Sequence, residues 1–180
     1  MKILMITLAA LLTAVLATTA LAIDEAGKSA QITLEKRVEN GPYKNSAYSF
    51  RQETHDVAIH KNYVDLLLNR CGLIHISPVS GMSSRVTDLG EMPLAASPDV
   101  APDNADWHTE WIEPVIGHVY LQQIEDGPQT MIVKYHIDEV HEDAVKLTWT
   151  VIQPFQGPER APNAGAAGTK GQCGGPHEDK

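Results

Sequence analysis

The clearest structural signal in the chain is the stretch MIVKYHIDEVHEDAVKLTWTV, Met131–Val151. Apolar and polar residues alternate before His141 and again after Asp143, so that two segments share a period of two residues. Such alternation is typical of β-strands that bury one face and expose the other to water. The apolar residues are mostly β-branched or aromatic, the types that strands favour. The stretch therefore predicts two strands joined by a polar turn.

The same stretch also raises the question of a metal site, because it places His136 and His141 among several carboxylates. An extended strand rises about 3.3 Å per residue, which separates these two histidines by about 15 Å. Zinc ligands must converge to about 2 Å from one ion, so a hairpin with a polar tip at residues 141–143 is favoured over a metal site. The apolar residues of both strands carry odd numbers. Placing both sets on the same face of the sheet requires a loop with an odd number of residues or a β-bulge.

Turn signals extend the prediction to a mainly β domain, an antiparallel sandwich or open barrel. The sequence EDGP at 125–128 joins a strand beginning at His118 to the next one, which completes a C-terminal three-stranded meander. Shorter and weaker upstream patterns predict further strands at 30–38, 48–52, 73–77 and 85–89.

One segment, at about 55–71, allows two interpretations. Its apolar residues share one face at 3.6 residues per turn, Thr54 suits an N-cap and Gly72 suits the residue after a helix, so a single helix is favoured. The apolar run Tyr63–Leu68 is also compatible with a buried strand.

The two ends of the chain differ in composition from the part between them. Residues 1–22 contain Lys2, an apolar run and small residues before Ile23, which predicts a cleaved signal peptide. Residues 23–155 are expected to form a single β-rich domain. Residues 156–180 are rich in Gly, Pro and Ala and are expected to be disordered, because they offer too little apolar area to offset the entropy of ordering.

These features predict an exported protein, periplasmic or extracellular, with no membrane span once the signal is removed. The formal net charge of −9 argues against nucleic acid as a partner. In an oxidising compartment the two cysteines, Cys71 and Cys173, suggest one disulfide, although the apolar surroundings of Cys71 also suit a buried thiol.

The best candidate for a binding site is the long segment AASPDVAPDNADWHTEW at 95–111, which has no periodicity. Its carboxylates are hard oxygen ligands of the kind calcium prefers, which makes calcium the one cofactor that the sequence suggests: Asp99, Asp103, Asp106 and Glu110. Its two indole rings suggest ligand stacking, for instance by a sugar: Trp107 and Trp111. The alternative is a solvated loop whose tryptophans pack on the core.

Catalytic signatures are scarce in this sequence. HEDAV at 141–145 has valine where a zinc-protease motif needs its second histidine, and no Gly-rich phosphate loop occurs. The leading prediction is an exported non-catalytic binding or interaction module for a small ligand, glycan or protein. The alternative is an exported metal-binding protein, with or without enzymatic activity, that uses histidines and the acidic loop.

Overall fold

A computed structural model describes residues 26–38, 45–55, 64–76 and 83–156. Within these ranges two antiparallel sheets face each other, which confirms the predicted β sandwich. The strands are β1 (Ser29–Glu35), β2 (Ala47–Tyr48), β3 (Leu66–Leu68), β4 (Ile74–His75), β5 (Ser83–Glu91), β6 (Trp111–Ile112), β7 (His118–Asp126), β8 (Gln129–Val140) and β9 (Ala144–Gln153). The larger sheet has the strand order β1-β9-β8-β7-β5 and the smaller sheet has the order β2-β3-β4-β6.

The hydrophobic core fills the space between the two sheets. On the larger sheet it uses the odd-numbered residues of β8 and β9, including the fully buried Tyr135 and Trp149. Phe50, which follows β2, lies against both of these rings, with centroid distances of 6.1 Å to Tyr135 and 5.3 Å to Trp149. Edge-to-face and offset aromatic pairs of this kind add to the free energy that burial alone supplies.

The predicted meander is confirmed, and its hairpin contains a β-bulge. Strand β8 ends at Val140 and β9 begins at Ala144, so the tip is 141–143 as expected. Ile137 pairs with Leu147 but Glu139 pairs with Lys146, which leaves Asp138 as an extra residue in β8. The bulge lets the odd-numbered residues of both strands face the core ahead of a tight turn.

The helix favoured at about 55–71 is not present in the described part of that segment, where Leu66–Leu68 forms β3. Leu66 and Leu68 face the core while Leu67 is also buried, at 8% exposure. A strand buried on both faces produces a continuous apolar run, which periodicity cannot distinguish from a helix. Residues 56–63 lie outside the described ranges.

The glycine that suggested a helix end instead completes the β3–β4 turn. Gly72 has φ +83°, and the side-chain oxygen of Asn69 accepts hydrogen bonds from the backbone N–H groups of Cys71 at 2.8 Å and Leu73 at 3.0 Å. A short polar side chain that bonds nearby backbone in this way stabilises a turn.

A long connection, residues 92–110, joins β5 of the larger sheet to β6 of the smaller sheet. It contains a short 3-10 helix, Leu94–Ala96, that contacts β8. It then reaches the edge of the larger sheet, where His108 and Val86 exchange backbone hydrogen bonds of 2.9 and 2.8 Å. The connection therefore covers part of the outer face of the larger sheet before it enters the smaller one.

No helix in the described ranges has the length and apolar character that crossing a bilayer requires. The predicted signal peptide at 1–22 and almost all of the predicted tail at 156–180 fall outside the described residues.

Candidate functional site

The acidic residues of the long connection serve separate roles. Asp99 forms an ion pair of 2.7 Å with Lys134, whose ammonium group also donates to the backbone oxygen of Ser97 at 2.8 Å. Lys134 is 4% exposed, so its charge needs these acceptors. The connection is thus fastened to the outer face of β8 through a buried lysine.

The other three predicted calcium ligands do not join Asp99. Asp106 lies 3.9 Å from the His108 ring, and the side chains of Asp103 and Glu110 belong to exposed residues. No group of three or more His, Cys, Asp or Glu side chains in the described ranges is arranged to hold a metal ion. The geometry gives the calcium prediction no support.

Both candidate stacking residues have one ring face occupied by a neighbour. The Arg85 guanidinium lies 4.4 Å from the centre of the Trp107 ring, and His75 stacks on Trp111 at 4.1 Å with an interplanar angle of 19°. These contacts tie the C-terminal end of the connection, and the first residue of β6 directly after it, to β5 and β4. They favour the packing role for the tryptophans over the ligand-stacking role.

Cys71 lies in the exposed β3–β4 turn and is disulfide-bonded. Cys173 is outside the described residues, so its pairing with Cys71 stays a prediction.

A different set of residues forms a depression of about 650 Å³ on the outer face of the larger sheet. One wall comes from the beginning of the long connection and the other from β8 and β9. The residues that line it are Glu91, Met92, Pro93, Leu94, Gly117, His136, Asp138 and Thr148. The volume falls within the range of about 300–1,000 Å³ that small-ligand sites occupy.

The polar floor of this depression is centred on Asp138, the bulged residue of β8. Its carboxylate accepts hydrogen bonds from the Thr148 hydroxyl at 2.7 Å, from Nδ1 of His136 at 2.7 Å and from the Gln31 amide at 3.1 Å. Gln31, Thr148 and His136 occupy matched positions on β1, β9 and β8. The bulge adds Asp138 to this row, in keeping with the tendency of bulges to re-aim a side chain.

These hydrogen bonds keep Asp138 ionised. Partial burial alone raises the pKa of a carboxyl group, but the bonds from Thr148, His136 and Gln31 outweigh that effect and hold the pKa of Asp138 below its ordinary value. An ionised carboxylate only accepts hydrogen bonds, so Nδ1 of His136 must be the donor of their bond. In the neutral ring, Nε2 then carries a lone pair.

The rim of the depression adds the Glu91 carboxylate as a further hydrogen-bond acceptor. The Glu91 carboxylate is exposed and has no hydrogen bond or ion pair within the described residues, and Nε2 of His136 has no such partner there either. Neither lysine nor arginine is among the described residues that line the depression. The site therefore offers hydrogen-bond acceptors and negative charge beside the apolar side chains of Met92, Pro93 and Leu94.

A separate buried ionic group lies at the opposite end of the sandwich. Asp65, which precedes β3, accepts hydrogen bonds from the backbone N–H of Phe50 at 2.7 Å and the Ser49 hydroxyl at 3.2 Å. Burial raises the pKa of Asp65 to about 6, although these hydrogen bonds and the Arg51 charge oppose the increase. Arg51 is held by Asp126 at 3.0 Å and lies over the Phe155 ring at 3.8 Å. This group fastens the 49–54 turn and is structural.

The alternation in β8 is enough to place His136 and Asp138 on its polar face, but it does not indicate the depression. Their spacing of two residues on a polar strand face was the available signal. Pairing with Thr148 depends on the strand register, and the apolar wall depends on the path of the long connection, neither of which a single sequence specifies.

No family model, curated protein or solved structure matches this chain.

Proposed function

We propose that this chain is an exported, non-catalytic binding module whose ligand occupies the depression beside His136. The observation that carries the proposal is the juxtaposition of an apolar wall, Met92–Leu94, with two acceptors that lack partners within the described residues. Small-molecule sites commonly combine an apolar surface with a few polar groups that fix orientation. Export rests on the signal-like residues 1–22.

Binding is favoured over catalysis by the state of the polar groups. The His136–Asp138 pair resembles a general base with its orienting carboxylate, but such a base activates a neighbouring nucleophile. The Thr148 hydroxyl, the one hydroxyl among the described residues that line the depression, donates to Asp138 instead. The pair is thus suited to holding one imidazole tautomer in place as a ligand acceptor.

The experiment is an NMR titration of the ¹⁵N-labelled domain with a panel of amines, carboxylates, sugars and short peptides. We expect at least one class to shift the amide signals of Met92, Leu94 and Gly117 together. Leu94→Trp should fill the depression and abolish these shifts. Val100→Trp is the matched control, because Val100 lies on the same connection, is 77% exposed and does not line the depression.

Two results would contradict the proposal. One is the absence of clustered shifts with every class in the panel. The other is one equivalent of a transition metal in the untagged protein, measured by elemental analysis, which would favour the metal-binding alternative.

A further inference from the structure

From the same depression, and resting on the proposed function, we infer the chemical class of its ligand: a primary ammonium or guanidinium group carried on an apolar stem. This inference rests on which side-chain groups at the depression can donate hydrogen bonds and which can accept them. The side-chain groups available to a ligand are the Glu91 carboxylate, which accepts hydrogen bonds, and Nε2 of His136, which accepts them in the neutral ring. A ligand must therefore donate.

The charge of the site selects a cation among possible donors. Glu91 and Asp138 place two carboxylates at the depression, and none of the described residues that line it is a lysine or arginine. The nearest cation along β8 is Lys134, which is buried and neutralised by Asp99 at 2.7 Å. An anion would face uncompensated negative charge here, whereas a cation restores balance.

The apolar wall selects the rest of the molecule. Met92, Pro93 and Leu94 line one side of the depression and offer no hydrogen bonds from their side chains. A polyol such as a sugar would leave hydroxyl groups against this wall, at the cost of their hydration. An alkyl stem can cover the wall while its charged end stays beside Glu91. This is the manner in which lysine and arginine side chains bury their stems and keep their charged groups in a polar setting.

Two sources can supply this chemistry, a free alkylamine or a lysine or arginine side chain of a peptide. Both place the same ammonium or guanidinium group at Glu91. They differ in whether the backbone next to the stem adds contacts.

The first arm of the test compares three compounds of similar size in the NMR titration: butylammonium, butanol and butyrate. We expect butylammonium to bind at millimolar concentration, since a ligand of so few atoms gains limited free energy. Butanol should bind more weakly, and butyrate should not bind. Equal affinity for butanol and butylammonium would overturn the inference.

The second arm tests the acceptors. Glu91→Gln should weaken butylammonium binding about fivefold, the change expected for the loss of one partly exposed ion pair. Glu142→Gln removes one exposed carboxylate at the hairpin tip, away from the depression, and should leave the affinity unchanged. If both variants weaken binding equally, the attraction is a general effect of net charge and the inference is wrong.

The third arm separates the two sources. A blocked lysine amide that binds more tightly than butylammonium, and loses binding on Nε-acetylation, indicates a peptide side chain. The reverse order indicates a free amine. If no cation binds while another class shifts Met92, Leu94 and Gly117, the ligand class is wrong and the proposed function survives. If nothing shifts these residues, both fail.

Discussion

Asp65 should make the stability of this protein fall as the pH rises through the mildly acidic range. Its pKa is about 6 in the folded protein against 3.8 for an ordinary aspartate. The folded state therefore binds the Asp65 proton more tightly than the unfolded state. This contribution is fully present below pH 3.8 and is lost as the pH rises through about 6. The difference in pKa corresponds to about 3 kcal/mol, of which about 2.5 kcal/mol is lost between pH 4 and pH 7.

The assay is urea unfolding of the wild type and Asp65→Asn at several pH values, followed by tryptophan fluorescence. Asparagine has nearly the same shape and keeps one oxygen to accept the Phe50 N–H bond, but it does not titrate. The free energy of unfolding of the wild type minus that of the variant removes the contribution of all other titrating groups. We expect this difference to decrease by about 2.5 kcal/mol from pH 4 to pH 7.

Asp138→Asn supplies a control with the opposite sign. The pKa of Asp138 is held below its ordinary value, so its contribution is present above the unfolded pKa and is lost as the pH falls. For that variant the same difference should increase with pH. A difference for Asp65→Asn that stays flat or increases between pH 4 and pH 7 would refute the argument from burial.

The remaining predictions concern the core and the disulfide. The Tyr135 hydroxyl is buried without a hydrogen-bond partner in the described ranges, so Tyr135→Phe should not lower the free energy of unfolding. Tyr120→Phe should lower it by about 1–2 kcal/mol, because the Tyr120 hydroxyl donates to the backbone oxygen of Glu113 and accepts from the backbone N–H of Val115. Urea unfolding measures both, and an equal loss would contradict the distinction. Trp149→Ala should lower the free energy of unfolding by about 3–5 kcal/mol, because this side chain is fully buried. Replacing the hairpin tip His141-Glu142-Asp143 with Asn-Gly-Lys should change it by at most about 1 kcal/mol. Similar values for the two changes would mean that the tip is not a surface turn. Thiol labelling of the unfolded, unreduced chain should find no free thiols, and two per chain would exclude the Cys71–Cys173 disulfide.

Sequence pattern was informative where burial is one-sided. In β8 and β9 every second side chain enters the core, so alternation alone predicts the strands, the turn and the need for a bulge or an odd loop. In β3 both faces are buried and the alternation disappears. The resulting run of apolar residues, Leu66–Leu68, is compatible with the buried face of a helix as well as with a strand.

The candidate site was less predictable because it depends on contacts between distant segments. The position of the bulge at Asp138 is set by the pairing of β8 with β9, and the apolar wall is set by the anchoring of the long connection on Lys134. One local feature of the sequence does indicate a buried charge. Asp65 is a single carboxylate in the apolar run Val64–Leu68, and an acidic residue in such a run must be buried with partners or with an altered pKa.

The backbone pairing of His108 with Val86 has a consequence for self-association. An edge strand of a sheet presents unsatisfied N–H and C=O groups that can template a strand from another molecule. Strand β5 is such an edge, and His108 occupies the middle of it through two hydrogen bonds. The long connection thus blocks strand addition along β5. Because aromatic contacts at Trp107 and Trp111 hold the C-terminal end of the connection in place, we expect it to protect a concentrated solution of folded molecules against growth into ordered aggregates from this edge.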